Sequence, residues 1–395
     1  MSSRHLAPAA ALLALGALAA CRSSTSSADQ QPALGAAQRS PTPSPVDGVV
    51  RAQTVARGLS HPWALAFLPD GRMLVTERPG RLRVVTAAGA VSAPVTGVPE
   101  VFASGQGGLL DVALDPAFDE NRLVYLSYAE PGADGTAGTA VARGRLRGDA
   151  AALEGVQVVY RQQPKVSGGN HFGSRLVFGR DGLLYVTQGE RYSERERAQD
   201  LGVTLGKVVR VHPDGSVPRD NPFAGQAGAR AEIYSYGHRN VQAAALDPAT
   251  GRLWTVEHGA RGGDELNAPE PGRNYGWPVI TYGVDYSGAT IGEGTARAGM
   301  EQPVYYWDPV IAPSGAAFVT SDRYPGWKGS LVVGSLGTRT LVRLELRDGR
   351  VAREERHLGD FGQRVRDVQE GPDGYLYVVT DEEDGQVARV APVSR

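Results

Sequence analysis

The sequence predicts an all-β chain folded as a six-bladed β-propeller with four-stranded antiparallel blades. Three observations lead there. One phrase of turn, hydrophobic strand, loop and second strand returns six times. No long amphipathic helical pattern follows the first 20 residues. Glycine is abundant, 51 of 395 residues, roughly twice the ~7% average, as a chain of many tight turns requires.

The first copy is Pro69-Asp70-Gly71-Arg72-Met73-Leu74-Val75-Thr76, answered by Arg81 to Val85. The second is Asn121 to Ser127, answered around Val141 to Leu146. The third, Asp181-Gly182-Leu183-Leu184-Tyr185-Val186-Thr187, is answered by Lys207 to Val211. Thr250 to Val256 is the fourth. Gly329 to Val333, answered by Leu341 to Leu346, is the fifth, and Pro372 to Val379, answered by Gln386 to Val390, the sixth. Asp-Gly and Asn-containing turns ahead of β-branched and aromatic runs are hairpin signals. The 347 residues of 49–395 shared among six copies give about 58 each, somewhat above the ~40–50 of common propeller repeats. A pair of β-sandwiches would explain the hairpins but not six copies of one phrase.

The segments outside the repeat read differently. Residues 1–20 have the order of an export signal: Arg4 and His5, then an uncharged apolar run from Leu6. The segment ends in Leu18-Ala19-Ala20-Cys21, which resembles a bacterial lipobox, with the only cysteine of the chain at the position to be acylated. Ser, Thr and Pro make up 12 of the 27 residues from Arg22 to Gly48. So 21–48 reads as an acylated Cys and disordered tether, and 49–395 as the catalytic propeller. The expectation is an exported cell-envelope lipoprotein facing the periplasm, touching the membrane only through its anchor. A formal charge of −2 with no basic stripe argues against a nucleic-acid partner. One Cys excludes an internal disulfide, a Cys-based zinc site and an iron–sulfur cluster.

Candidate chemistry gathers in loops around the third and fourth copies. His171 lies in Ser167-Gly168-Gly169-Asn170-His171-Phe172-Gly173, where Gly lets backbone approach a ligand and an imidazole can serve as base near neutral pH. Glu190 follows the next strand, 19 residues on, placed to orient that imidazole. Gly237-His238-Arg239-Asn240 offers donors for carboxylate or quinone oxygens. Glu257-His258-Gly259-Ala260-Arg261-Gly262-Gly263-Asp264-Glu265 groups oxygen ligands on a Gly-rich loop, as a hard cation prefers, without EF-hand spacing. A zinc site from His171, His238 and His258 is conceivable, but no spacing requires it.

In order along the chain, Gln106-Gly107-Gly108-Leu109-Leu110-Asp111, Asn170-His171-Phe172-Gly173, Gly237-His238-Arg239-Asn240, Asp264-Glu265-Leu266-Asn267, Asn274-Tyr275-Gly276-Trp277-Pro278 and Arg364-Val365-Arg366-Asp367-Val368 carry a resemblance. They resemble the soluble aldose sugar dehydrogenases dependent on pyrroloquinoline quinone (PQQ), the glucose/sorbosone dehydrogenase family, whose fold is a six-bladed propeller. The resemblance implies that His171 is the base, with Glu190 as its partner. It implies that Gln106, Arg239 and Asn240 contact PQQ and that Arg364 and Arg366 bind its carboxylates. Tyr286, Trp307 and Gly337 fall in pocket loops. Gly259 and Ala260 carbonyls would hold Ca²⁺ under the quinone, and Glu265 and Tyr275 match a calcium-binding pair.

Two departures bear on specificity. Many relatives have Asp where this chain has Glu190. Glucose-specialised members carry a Lys in the loop that reads Ser335-Leu336-Gly337-Thr338-Arg339 here, which favours a broad aldose enzyme. The implied reaction is base-assisted hydride transfer from sugar C1 to Ca²⁺-bound PQQ, yielding a lactone and passing electrons to an external acceptor. A calcium-dependent lactonase and a non-enzymatic binding scaffold would use the same fold.

Overall fold

The computed structural model describes residues 36–41, 46 and 49–393. The expected export signal and Cys21 lie outside the described residues. No helix among the described residues is long and apolar enough to cross a membrane.

Six sheets are present, in chain order around a ring. Their innermost strands are Pro62–Phe67, Leu109–Leu114, Gly173–Phe178, Val241–Leu246, Pro313–Phe318 and Val365–Glu370, each packed against the innermost strand of the next sheet. The six phrases read from the sequence are the second strands: Met73–Glu77, Leu123–Pro131, Leu184–Gln188, Leu253–Glu257, Leu331–Ser335 and Leu376–Thr380. Four of these are buried at every position. A sheet on each face removes the polar alternation a half-exposed strand would show, and so these segments read as unbroken apolar runs. The Asp-Gly turns ahead of them need a left-handed residue, and Gly182 supplies it at φ +76°.

The blades are not uniformly four-stranded. The first has three strands, Pro62–Phe67, Met73–Glu77 and Arg81–Val85. The fourth gains a fifth, because Gln38–Arg39 pairs in parallel with Tyr305 and Tyr306. These two residues of the expected tether are therefore part of a blade. Arg39 also pairs with Asp308 at 3.1 Å, and the Ser40 hydroxyl donates to Glu354 at 2.7 Å. The sixth blade is closed by the other end of the chain: Val50–Leu59 pairs antiparallel with Gly385–Pro392.

The apolar core lies between neighbouring blades. Trp63, Leu74 and Leu82 of the first pack with Leu109, Leu126 and Ala140 of the second. Tyr125 and Val141 of the second meet Leu184, Val186 and Val209 of the third. Val332 and Leu341 of the fifth meet Val365, Leu376 and Val390 of the sixth. Such a ring fixes the inner strand ends relative to one another, and the site is built on those ends.

Candidate active site

In an antiparallel blade the first strand begins where the second ends. Two loops per blade therefore converge on one mouth of the central channel, the one entering the innermost strand and the one leaving the second. Gln106, His171, Arg239, Asn240 and Arg364 come from the first kind of loop. Arg78, Glu190, His258, Leu336 and Asp381 come from the second. A cleft of about 700 Å³, part of it open to solvent, is lined by Gln106, Asn240, His258, Leu336, Arg364 and Arg366 among others. An adjoining cleft of about 690 Å³ is lined by Glu190, Tyr192, Arg239, Ala260, Trp277 and Tyr286 among others. His171 itself is in neither lining, but its neighbours divide between them: Phe172 and Gln106 face the first, Glu190 and Tyr192 the second.

The His171–Glu190 pair expected from the sequence is formed. His171 Nδ1 lies 2.6 Å from Glu190 Oε2, with both side chains almost fully buried. The longer Glu side chain reaches the imidazole without difficulty. His171 itself is left-handed, φ +53°, and its amide donates to Gln106 Oε1 at 2.9 Å. That bond ties Gln106 to the base. Nε2 has no hydrogen-bond partner among the described residues. Burial pushes the imidazole below its ordinary pKa, against the pull of Glu190 toward the cation. A neutral imidazole with Nδ1–H held by a carboxylate can accept a proton at Nε2.

Asn240 accepts from the Gly173 amide at 3.1 Å. Arg239 donates to the His258 carbonyl at 3.2 Å, and its guanidinium carbon lies 5.1 Å from the Trp277 ring centre. Arg239 Nε is buried and unpartnered, as are Arg366 Nε and the Trp277 indole N–H. Arg366 and Arg364 share Asp381 Oδ2 at 2.7 and 3.2 Å. Burial opposes ionisation of Asp381, but Arg366, with Arg78 and Arg364, outweighs it and holds the carboxyl well below its usual range. Three buried N–H groups without acceptors and this arginine cluster suit a ligand rich in anionic oxygens.

A second polar cluster lies behind the fourth blade's inner strands. Glu257 and Glu265 stand opposite each other across paired strands. Asn267 Nδ2 donates to Glu257 at 3.0 Å and to Glu265 at 3.3 Å, while its buried Oδ1 has no donor. Burial, reinforced by Glu257, raises the Glu265 pKa well above the usual range. Tyr275 stacks on His238 at 4.8 Å, and His238 Nδ1 contacts Glu257 at 2.9 Å. The carbonyls of Gly259 and Ala260 accept no hydrogen bond among the described residues. Apposed buried carboxylates with an orphan amide oxygen, and separately the two free carbonyls, are the oxygen donors a hard cation prefers. His238 and His258 are bound elsewhere, to Glu257 and to the Pro313 carbonyl at 2.6 Å. Among the described residues no group of three or more His, Cys, Asp or Glu is placed to hold a metal, so the three-His zinc arrangement is not formed.

Trp307 is a correction. It is fully buried in the fourth blade's outer region, and its indole donates to Glu354 of the fifth blade at 3.0 Å. It seals the seam between these blades and lines neither cleft. The indole that does face a cleft is Trp277. Gly337 sits beside the first cleft rather than in its lining: its amide donates to the Ile311 carbonyl at 2.9 Å, and Leu336 provides the wall. Arg339 is turned onto the Gly362 carbonyl at 3.1 Å and lines neither cleft. Tyr286, 59% exposed, stands at the rim. Sequence reasoning passed over Arg78 and Asp381. Each follows a second strand as Glu190 does, and that position was the available signal.

The Glucose / Sorbosone dehydrogenase family model matches residues 59–389. Aldose sugar dehydrogenase YliI of Escherichia coli (strain K12) is 50% identical over 346 residues, covering 87% of this chain and 93% of that protein. The apo-form crystal structure of the soluble aldose sugar dehydrogenase (Asd) from Escherichia coli aligns with a TM-score of 0.84 at 49% identity, over 87% of this chain and 99% of that one. The PQQ-bound form of aldose sugar dehydrogenase (Adh) from Streptomyces coelicolor aligns with a TM-score of 0.71 at 31% identity, over 89% of this chain and 99% of that one.

Proposed function

The chain belongs to the glucose/sorbosone dehydrogenase family, and on that premise we propose that it oxidises aldose sugars at C1 to lactones, using PQQ and Ca²⁺ and an external electron acceptor. The observation that carries the reading is the buried His171–Glu190 pair, 2.6 Å apart, set between clefts whose Arg239, Arg366 and Trp277 N–H groups await acceptors. The PQQ-bound relative supports the choice of cofactor.

His171 Nε2 takes the proton of the anomeric hydroxyl. Glu190 keeps the proton on Nδ1, fixes the ring and stabilises the imidazolium that forms. Arg364 and Arg366 would hold the cofactor's carboxylates, and Arg239 with Asn240 its quinone edge. Gly259 and Ala260 carbonyls would take a calcium ion at the cofactor, and Glu265 with the Tyr275 carbonyl a calcium site behind it. When bound, PQQ supplies the hydride acceptor and Ca²⁺ a Lewis acid that polarises it. Leu336 gives one wall an apolar residue where glucose-specialised relatives carry a charged side chain in this loop, which supports a broad range of aldoses.

The test is reconstitution. Purified protein given PQQ and Ca²⁺ should reduce an artificial dye in an aldose-dependent manner, and protein lacking either should not. His171→Gln should bind PQQ normally yet turn over ~10²–10⁴-fold more slowly, the usual worth of a general base. Loss of PQQ binding with unchanged turnover per bound cofactor would instead make His171 a cofactor ligand. Chelation should lower the melting temperature and Ca²⁺ restore it, because a ligand bound only to the native state adds stability. We place the protein in the cell envelope, anchored through Cys21. Cys21→Ala should release it with activity intact, and an unacylated mature chain cut elsewhere would refute that placement.

A further inference from the structure

Arg191, next in sequence to Glu190, has no role in the reaction described above, yet it is among the largest fully buried side chains. A buried guanidinium ordinarily pairs with a carboxylate. Among the described residues none pairs with Arg191; the Glu190 carboxylate is engaged by His171 and by the Tyr192 amide, each at 2.6 Å. All three guanidinium nitrogens instead meet main-chain carbonyls. Nε donates to Asn170 at 2.9 Å, one terminal nitrogen donates to Gly168 and the other to Ala137. The flat face lies on the Phe172 ring, 3.8 Å from its centre. Gly168, Asn170 and Phe172 belong to the loop that carries His171, and Ala137 begins a strand of the second blade.

That loop has no strand partner along most of its length, so its inward carbonyls need donors. Gly169 accepts from the Gln106 amide at 2.7 Å, and Phe172 from the Thr139 hydroxyl at 2.6 Å. Gly168 and Asn170 are left to Arg191. A planar fork of five N–H donors can serve three carbonyls in different directions while its face covers an aromatic ring, which a lysine ammonium cannot. Arg191 and Tyr192 both hold left-handed backbone, φ +67° each, and the Arg191 amide donates to the His171 carbonyl at 3.3 Å. The residue is thus joined to the His171 loop from main chain and side chain alike.

We propose that Arg191 is a positioning residue for His171, clamping the Gly168–Phe172 loop to the second blade so that the imidazole keeps its place between Glu190 and the clefts. This rests on the reading of His171 as the base. The charged and titratable groups around that imidazole are Glu190, Arg191, Tyr192, Arg239 and His258.

The test uses the full chain with Arg191→Met and Arg191→Lys. In PQQ-loaded protein, kcat per bound cofactor should fall by about 10–100-fold in Arg191→Met, the scale of an ångström-sized misplacement, with PQQ affinity changed less than about threefold. In protein without PQQ, NMR of His171 should show exchange broadening and faster amide exchange at Asn170 and His171. Arg191→Lys keeps the charge but not the fork. It should leave the His171 titration midpoint near that of the parent while still lowering kcat. If Arg191→Met fails to fold, the lysine variant answers on the same axes. Lowered melting temperature with unchanged kcat, His171 spectrum and loop exchange would overturn the proposal and leave Arg191 a packing residue. Absence of PQQ-dependent turnover in the parent would refute the functional reading alone, since the NMR and exchange measurements need no cofactor.

Discussion

His171 is pulled two ways: its carboxylate partner favours the cation and its burial disfavours it, and burial prevails. The base is active when neutral. Its pKa in the fold lies below the ordinary 6.5, so kcat/KM should hold as pH falls to 6.5 and decline only below it. Glu190→Gln removes the group that favours the cation, so the acid limb should move to still lower pH while kcat drops; a pH profile of both proteins checks this. The two tryptophans separate seam from site. Trp307→Phe forfeits a buried bond to Glu354 and should cost about 1 kcal/mol of stability, the usual worth of one hydrogen bond, with PQQ affinity unchanged. Trp277→Phe, which removes an indole N–H that has no partner in the fold, should weaken PQQ binding with less effect on melting. Calorimetry and cofactor titration on both variants distinguish the roles, and a loss of PQQ affinity in Trp307→Phe would reinstate it in the pocket.

At the scale of the blade, the site depends on close passage between the loop entering one strand and the loop leaving the next. Gly189 shows how close. A Cβ there would collide with the carbonyl of His171 and crowd Asn240. Gly189→Ala should cost about 1–3 kcal/mol, as overpacking does, and lower activity as well, because the collision falls on the catalytic pair. Unchanged kcat in a variant of normal stability would show that the loop shifts freely. The same geometry explains what was legible in the sequence. The second strands were visible because burial on both faces makes them unbroken apolar runs behind Asp-Gly turns. His171 and Glu190 were visible because a Gly-rich loop and a carboxylate bracket one such run. Trp307 misled because an aromatic residue near the pocket loops looks the same in sequence whether it faces the cleft or a blade seam; only the partner Glu354, 47 residues away, decides. Gln38–Arg39 was hidden in a Ser/Pro-rich segment, where pairing depends on an edge that another blade provides.

For the whole molecule, ring closure matters most. Val50 pairs with Pro392, and the Val393 amide donates to the Val49 carbonyl at 2.9 Å. Val49 and Val393 are therefore neighbours on one sheet, and among the described residues only the short Gln38–Arg39 strand of the fourth blade lies outside the stretch between them. A circular permutant that joins 393 to 49 through a short linker and opens the exposed turn at Asp348-Gly349 should fold and keep its dye-linked activity. Failure to fold with the linker lengthened would show that the closing strand acts in some way beyond its pairing.

The closing strand also imposes an order in time. Its partner is made 342 residues later, which at ~5–20 residues per second leaves it waiting about 20–70 s. During that interval the sixth sheet cannot exist, and the first and fifth blades each present an uncovered face. The complete ring, and with it the clefts that take residues from several blades, forms only after the last strand has left the ribosome. A chain truncated before Gly385 should therefore be recovered as an aggregation-prone or chaperone-bound species rather than as a five-bladed partial enzyme, and pulse-labelled chains of increasing length, probed by proteolysis, would reveal protection arriving in a single late step.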